Sequence, residues 1–159
     1  MTVQDFMSRF DIKKKETVEE WIQKGLIPGA KRDKKSNQWL VPDLARPPYT
    51  GARAKTTTAI YTSIVKACIK RKGVFAALYN LDEREFDVYI SVLIEANLIR
   101  CVEEDRVRYY YSTLKSEEYA SRNSKDLAKF VKSCVSTVTE AAAKGMTAAL
   151  LAHQPPAAS

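Results

Sequence analysis

The sequence contains one histidine, three cysteines and five glycines among 159 residues, and each scarcity closes off a kind of chemistry. His153 stands alone in a Pro- and Ala-rich tail, so no histidine-based metal set or nucleophile pair can be drawn. Cys68, Cys101 and Cys134 are widely separated and show no C-x-x-C spacing. They suggest neither a disulfide framework nor a zinc site, and read as free thiols in a reducing compartment. There is no Gly-rich phosphate loop, no H-E-x-x-H and no G-x-S-x-G. The acidic run Glu103-Glu104-Asp105 lacks the fixed spacing of a calcium loop. No apolar run approaches the roughly 18 residues of a membrane span. The opening MTVQDFMSRF lacks a basic segment followed by an apolar one, so no signal peptide is expected. These absences point to a cytoplasmic protein that is not an enzyme and carries no cofactor, metal, membrane or small-molecule partner.

What the sequence does have is positive charge, unevenly placed. The formal net charge is +7. Residues 1–72 hold 16 Lys and Arg against 7 Asp and Glu, a net of +9; residues 73–159 hold 10 against 12, a net of −2. Excess charge gathered in one half suits contact with a polyanion, and the phosphate backbone is the commonest one. The basic residues do not lie on one amphipathic helix with an aromatic face, which argues against a membrane surface.

The apolar spacing gives the organisation. Thr2 caps a short expected helix over residues 2–10, with Val3, Phe6, Met7 and Phe10 on one face. A second helix is expected from about Lys13 to Lys24, carrying Val18, Trp21 and Ile22, with Gly25 at the left-handed position that ends it. Residues 30–41 read as a hairpin around Asp33-Lys34-Lys35-Ser36-Asn37, and Pro42-Asp43-Leu44 closes the unit. Residues 46–58, with Pro47-Pro48 and three basic residues, read as a basic linker. A second unit over 59–120 follows: an amphipathic helix 59–72, a short apolar stretch 74–79, and a helix started by Asp82 in a D-x-x-E capping pattern. That helix repeats Phe86, Tyr89, Ile90, Leu93 and Ile94 and ends at Asn97. A hairpin over 98–112 turns at Glu103-Glu104-Asp105. A last helix over 124–152, capped by Ser124, presents Leu127, Val131, Cys134, Val138 and Ala141 as a coiled-coil-like stripe for packing or oligomerisation. Residues 153–159 are expected to be a disordered tail.

The two halves echo one another. Trp21-Ile22-x-x-Gly25-Leu26-Ile27 precedes a hairpin containing Trp39, and Leu93-Ile94-x-x-Asn97-Leu98-Ile99 precedes one containing Tyr109-Tyr110-Tyr111. A helix that stops at a residue tolerating positive φ and feeds a strand is winged-helix grammar. The expected fold is therefore mainly α with small β-hairpin wings: two tandem winged-helix units and a C-terminal helix. In residues 1–48 the pattern T-V-x-x-W-I-x-x-G-x-I-P (Thr17 to Pro28), then a basic hairpin, then Pro42-Asp43-Leu44, resembles the N-terminal unit of excisionase-type and MerR-type DNA-binding proteins. The resemblance implies a winged helix-turn-helix. Its second helix, Lys13 to Lys24, would enter the major groove, and Lys31, Arg32, Lys34 and Lys35 would lie on the wing.

One departure from the family stands out: Glu16, Glu19 and Glu20 sit on that helix. Either its basic edge (Lys13, Lys14, Lys15, Gln23 and Lys24) faces DNA with the acids turned away, or binding leans on the wing. Lys14, Thr17 and Gln23 are the candidate base readers. Arg46, Arg53 and Lys55 could follow a minor groove as a basic arm, or simply form a solvated tether. Lys66, Lys70, Arg71 and Lys72 end a helix whose dipole favours cations in any case. One face of the Tyr109–Tyr111 strand packs on the core, leaving the other free for a base or a partner protein. The second unit's acidic helix, residues 82–96, is a poor groove reader, so this unit and the last helix are expected to make a homo-oligomer.

The function expected from these features is a nucleoid-associated DNA-binding protein of a bacterium or mobile element. It would be a transcription regulator or an excisionase-like architectural factor bound to double-stranded DNA. The alternative is a winged-helix adaptor making protein contacts in a phage or plasmid assembly. RNA binding ranks below both, because no aromatic sheet motif is present.

Overall fold

The computed structural model describes residues 1–50 and 54–152. About half of the chain is helical, with two small antiparallel hairpins, so it is mainly α with small β-ribbons. Arg53 and the expected tail 153–159 lie outside the described residues.

The first unit contains α1 (Val3–Arg9), α2 (Lys15–Gln23), β1 (Lys31–Arg32) and β2 (Trp39–Leu40). Thr2 caps α1 with its side chain, and Asp5 returns the bond, satisfying two otherwise orphaned N–H groups. Val3, Phe6, Val18, Ile22, Ile27 and Val41 form a small core, against which Trp21 and Trp39 pack half-buried. Thr2 bridges Leu40 and the Val41 N–H reaches the Met1 carbonyl, so the N-terminal residues hold the outer edge of the ribbon.

The second unit is larger. Its helices are α3 (Thr57–Ile69), α4 (Glu83–Glu95), α5 (Leu114–Arg122) and α6 (Leu127–Ala152). A 3-10 turn over Ala76–Tyr79 precedes α4, and β3 (Ile99–Glu104) pairs with β4 (Val107–Ser112). Helix α3 is buried around most of its circumference, with α6, β4 and α5 as its main neighbours; Ile64, Val65, Leu93, Leu98, Ile99 and Val131 are almost fully enclosed. Each such aliphatic contributes about 1.5–3 kcal/mol relative to exposure.

The two halves do echo one another in their helix ends. Gly25 has φ +72 and Asn97 has φ +57. In each case the next N–H reaches back to the helix, Leu26 to the Trp21 carbonyl and Leu98 to the Leu93 carbonyl, closing a Schellman motif. Four expectations about boundaries change. The second hairpin turns at Asp105-Arg106, both at positive φ, because Glu104 pairs with Val107 and leaves two residues for the tight turn that matches strand twist. Ser124 begins a 3-10 turn, Ser124–Asp126, rather than capping α6 directly. Helix α5, which crosses the expected end of the second unit at residue 120, starts at a Thr113–Ser116 capping box. Finally, residues 46–49, expected to belong to a loose linker, are laid against the second unit: the Gly73 N–H reaches the Pro47 carbonyl at 2.7 Å and the Tyr49 N–H reaches the Gly73 carbonyl at 3.0 Å.

The units also touch through the second hairpin. Tyr110 is buried in the second core, whereas Tyr109, on the opposite face of the strand, packs on the first core. The tyrosine face expected to be free is therefore occupied by the first unit and by Arg46, whose guanidinium carbon lies 4.2 Å from the Tyr111 ring centroid.

Candidate nucleic-acid interface

Strand alternation and helix geometry sort the expected DNA-contacting residues. On β1, neighbouring side chains must point to opposite faces. Arg32 lies on the side of α2, over the Trp39 ring at 5.3 Å. Lys31 lies on the other side, in a cleft lined also by Glu104 and Asp105 of the second hairpin tip.

A polar groove of about 410 Å³ runs between α2 and the ribbon. Its walls are Lys15, Glu19 and Gln23 from the helix, Arg32, Asn37 and Gln38 from the ribbon, and Gln4 from α1. Lys15, Glu19 and Gln23 share the groove because a spacing of four residues nearly completes a helical turn. Thr17 is about 200° around the helix from Lys15, on the flank turned away from the ribbon. Lys24 belongs to that flank too, and Glu16 and Glu20 project between the flanks, exposed.

The acids therefore do not all face away from the groove. Glu19 stands inside it, 3.7 Å from Lys15, and Lys24 pairs with Glu20 at 2.6 Å. Lys13 pairs with Asp11 at 2.5 Å. Such exposed pairs add little stability, but they offset the charge that a phosphate would meet. Among the described residues Lys14, Lys31, Arg32, Lys34, Lys35 and Lys55 are exposed and have no carboxylate partner, and the half-buried Arg46 has none either.

The ribbon tip is ordered by its own acid. Asp33 accepts from Ser36 Oγ at 2.8 Å and from the Lys35 N–H at 3.3 Å, and its carbonyl accepts from the Asn37 N–H at 2.8 Å. The Ser36 bond, then the Lys35 N–H, hold its carboxyl below the usual range. Asn37, at φ +56, completes the turn. Lys34 and Lys35 are thus presented on a fixed turn with nothing competing for their ammonium groups.

The groove therefore brings together Lys15, Gln23 and Arg32; the tip lysines do not line it but sit on the turn that leads into Asn37 of its wall. It excludes Thr17, Lys24 and Lys31. The sequence reading does not single out the amides of Gln4, Asn37 and Gln38, which come from α1 and from the turn before β2. Arg46 is not part of a free arm: its side chain is half-buried against Tyr111.

Among the described residues there is no group of three or more acids, histidines or cysteines able to hold a metal ion, and no helix is long and apolar enough to cross a membrane. Comparisons with protein-family models, curated proteins and solved structures returned no match.

Proposed function

We propose that the protein binds double-stranded DNA through the α2–ribbon groove, as a winged helix-turn-helix of the excisionase or MerR kind. The observation carrying this reading is the ordered, uncompensated Lys34–Lys35 tip, set on the same ribbon as Arg32 and the two amides of Asn37 and Gln38 that face a helix. Lysines on a fixed β-turn suit phosphate positioning, and amides can read base edges. With Lys15 and Lys24 paired to acids, the ribbon carries more of the phosphate contact than the helix. The chain would serve as a transcription regulator or architectural factor on the nucleoid. It would act as a homo-oligomer through the second unit and α6, since one small groove reaches few bases. The exposed Val88 and Ile94 on α4 are consistent with such self-association.

The direct test is an anisotropy titration of a labelled random duplex at low salt, where binding at micromolar protein or tighter is expected. A flat titration refutes the reading.

The outward-pointing Glu16 and Glu20 favour one other reading, an adaptor whose first unit docks on a basic protein surface. In that case the duplex titration is flat, and reversing Glu16 and Glu20 to Lys abolishes partner capture.

A further inference from the structure

With the first unit ending near residue 45, the charge divides differently than between halves of the chain. Residues 1–45 hold nine Lys and Arg against seven Asp and Glu, whereas residues 46–72 hold seven cations and no carboxylate. The excess is therefore centred on the junction and the end of α3, not on the first unit.

Two of those cations meet a third from β3. Arg46 stacks at 4.2 Å over the Tyr111 ring, and Arg100, the cross-strand partner of Tyr111, lies 5.2 Å from the same ring centroid. Arg71, just beyond α3, lies two residues from Gly73, whose N–H bonds the Pro47 carbonyl at 2.7 Å, so the segment that carries it runs beside Arg46; burial first, then repulsion from Arg71 and Arg100, push the Arg46 guanidinium below its ordinary pKa. None of the three has a carboxylate partner among the described residues. Arg46 Nη1 is buried without any hydrogen-bond acceptor. The nearby Cys68 thiol offers no counter-charge, because burial pushes it up to about 12 and keeps it protonated. The carbonyls ending α3 are already engaged: Ala67 accepts from the Lys72 N–H and Cys68 from the Arg71 N–H.

Like charges held together with one guanidinium half-buried are costly unless an anion offsets them at the exposed edge of the cluster. Guanidinium forks match phosphate oxygens in a bidentate way. We propose that Arg46 and Arg100, both on the Tyr111 ring, with Arg71 on the adjoining segment, form a phosphate-binding site of the second unit, and that its ligand is a backbone phosphate of the DNA duplex. The choice of ligand rests on the DNA-binding reading above; the existence of the anion site does not. The second unit then contributes to duplex affinity although its helix α4 is acidic.

The test uses Arg71→Gln with Arg100→Gln in the full chain. Both side chains are exposed, so Arg46 and its packing stay in place. The Arg46 Hε–Nε resonance, assigned through Arg46→Lys, is followed while pyrophosphate is added. A saturable shift is expected in the native protein, with affinity at least tenfold lower in the double variant. No saturable shift overturns the anion site. In duplex titrations each lost phosphate contact lowers the log K against log salt slope by about 0.9, so the double variant loses about 1.8 in slope and binds about 30-fold more weakly at 0.15 M salt. Pyrophosphate binding combined with an unchanged duplex slope overturns the DNA ligand and leaves a site for free phosphate. If the native chain binds no duplex, the groove reading and the DNA ligand fall together, and the pyrophosphate arm still decides the site.

Discussion

Replacing Gly29 with alanine tests whether the two units are locked together as the structure has them. Gly29 sits at φ +86, and a Cβ there would meet Pro42 Cγ at 3.0 Å and Val107 Cγ2 at 3.2 Å. Neither neighbour yields easily, since one is a ring atom and the other belongs to a β-branched side chain on a strand. Gly25, at φ +72 with nothing within 4 Å of its would-be Cβ, is the natural comparison. Gly25→Ala pays only the left-handed conformation, about 1–2 kcal/mol. Gly29→Ala adds crowding, for a total of about 2–4 kcal/mol. Because φ differs between the two glycines, the decisive quantity is a coupling. Val107→Ala removes the second unit's contribution to the clash, so Gly29→Ala in that background should recover at least about 0.5 kcal/mol. Urea unfolding of the four proteins, followed by tryptophan fluorescence, measures it. Additivity within about 0.3 kcal/mol would mean that Val107 does not approach Gly29 in solution, and the inter-unit contact would be lost from the account.

Further consequences can be checked on the same protein. Thr113→Ala removes the cap of α5 and the 2.7 Å bond that Thr113 donates to the Asn97 carbonyl, and should cost about 1–2 kcal/mol by denaturant unfolding. Arg71 occupies φ +58, where glycine is at ease, so Arg71→Gly should raise stability by about 1 kcal/mol while weakening pyrophosphate and duplex binding. A melting temperature that falls on this substitution would assign Arg71 a structural role instead. Tyr79 and Tyr110 are each pushed up from near 10 to about 12 by burial. Since the unfolded tyrosines ionise first, their contribution is intact below pH 10 and is lost as pH rises from about 10 to 12. Urea midpoints measured across that range should decline, and a flat profile contradicts the burial of these rings.

What could be read from the sequence was local. Gly25 and Asn97 announced their positive φ because a residue tolerant of the left-handed region followed a helical stripe. Leu127, Val131, Cys134 and Val138 of α6 do pack on the second core, whereas Ala141, the next residue of the stripe, is exposed. What could not be read depends on contacts distant in sequence. Pro47-Pro48 between basic residues resembles a tether until Gly73 offers it a backbone edge. Arg46 and Arg100 look like ordinary surface cations until β3–β4 pairing places Tyr111 between the segments that carry them. The split of the α2 residues is a different case, because 100° per residue already separates Thr17 from Lys15. The missing knowledge there was which flank the ribbon covers.

The groove reading is tested most directly by titrating duplex DNA from low to moderate salt with the native chain and with Lys34→Gln plus Lys35→Gln. Both lysines are exposed on a turn held by Asp33, so the fold should be unaffected. The account predicts binding by the native chain and a log–log salt slope smaller by about 1.8 in the variant. Equal slopes and equal affinities would show that the ribbon tip does not touch phosphate.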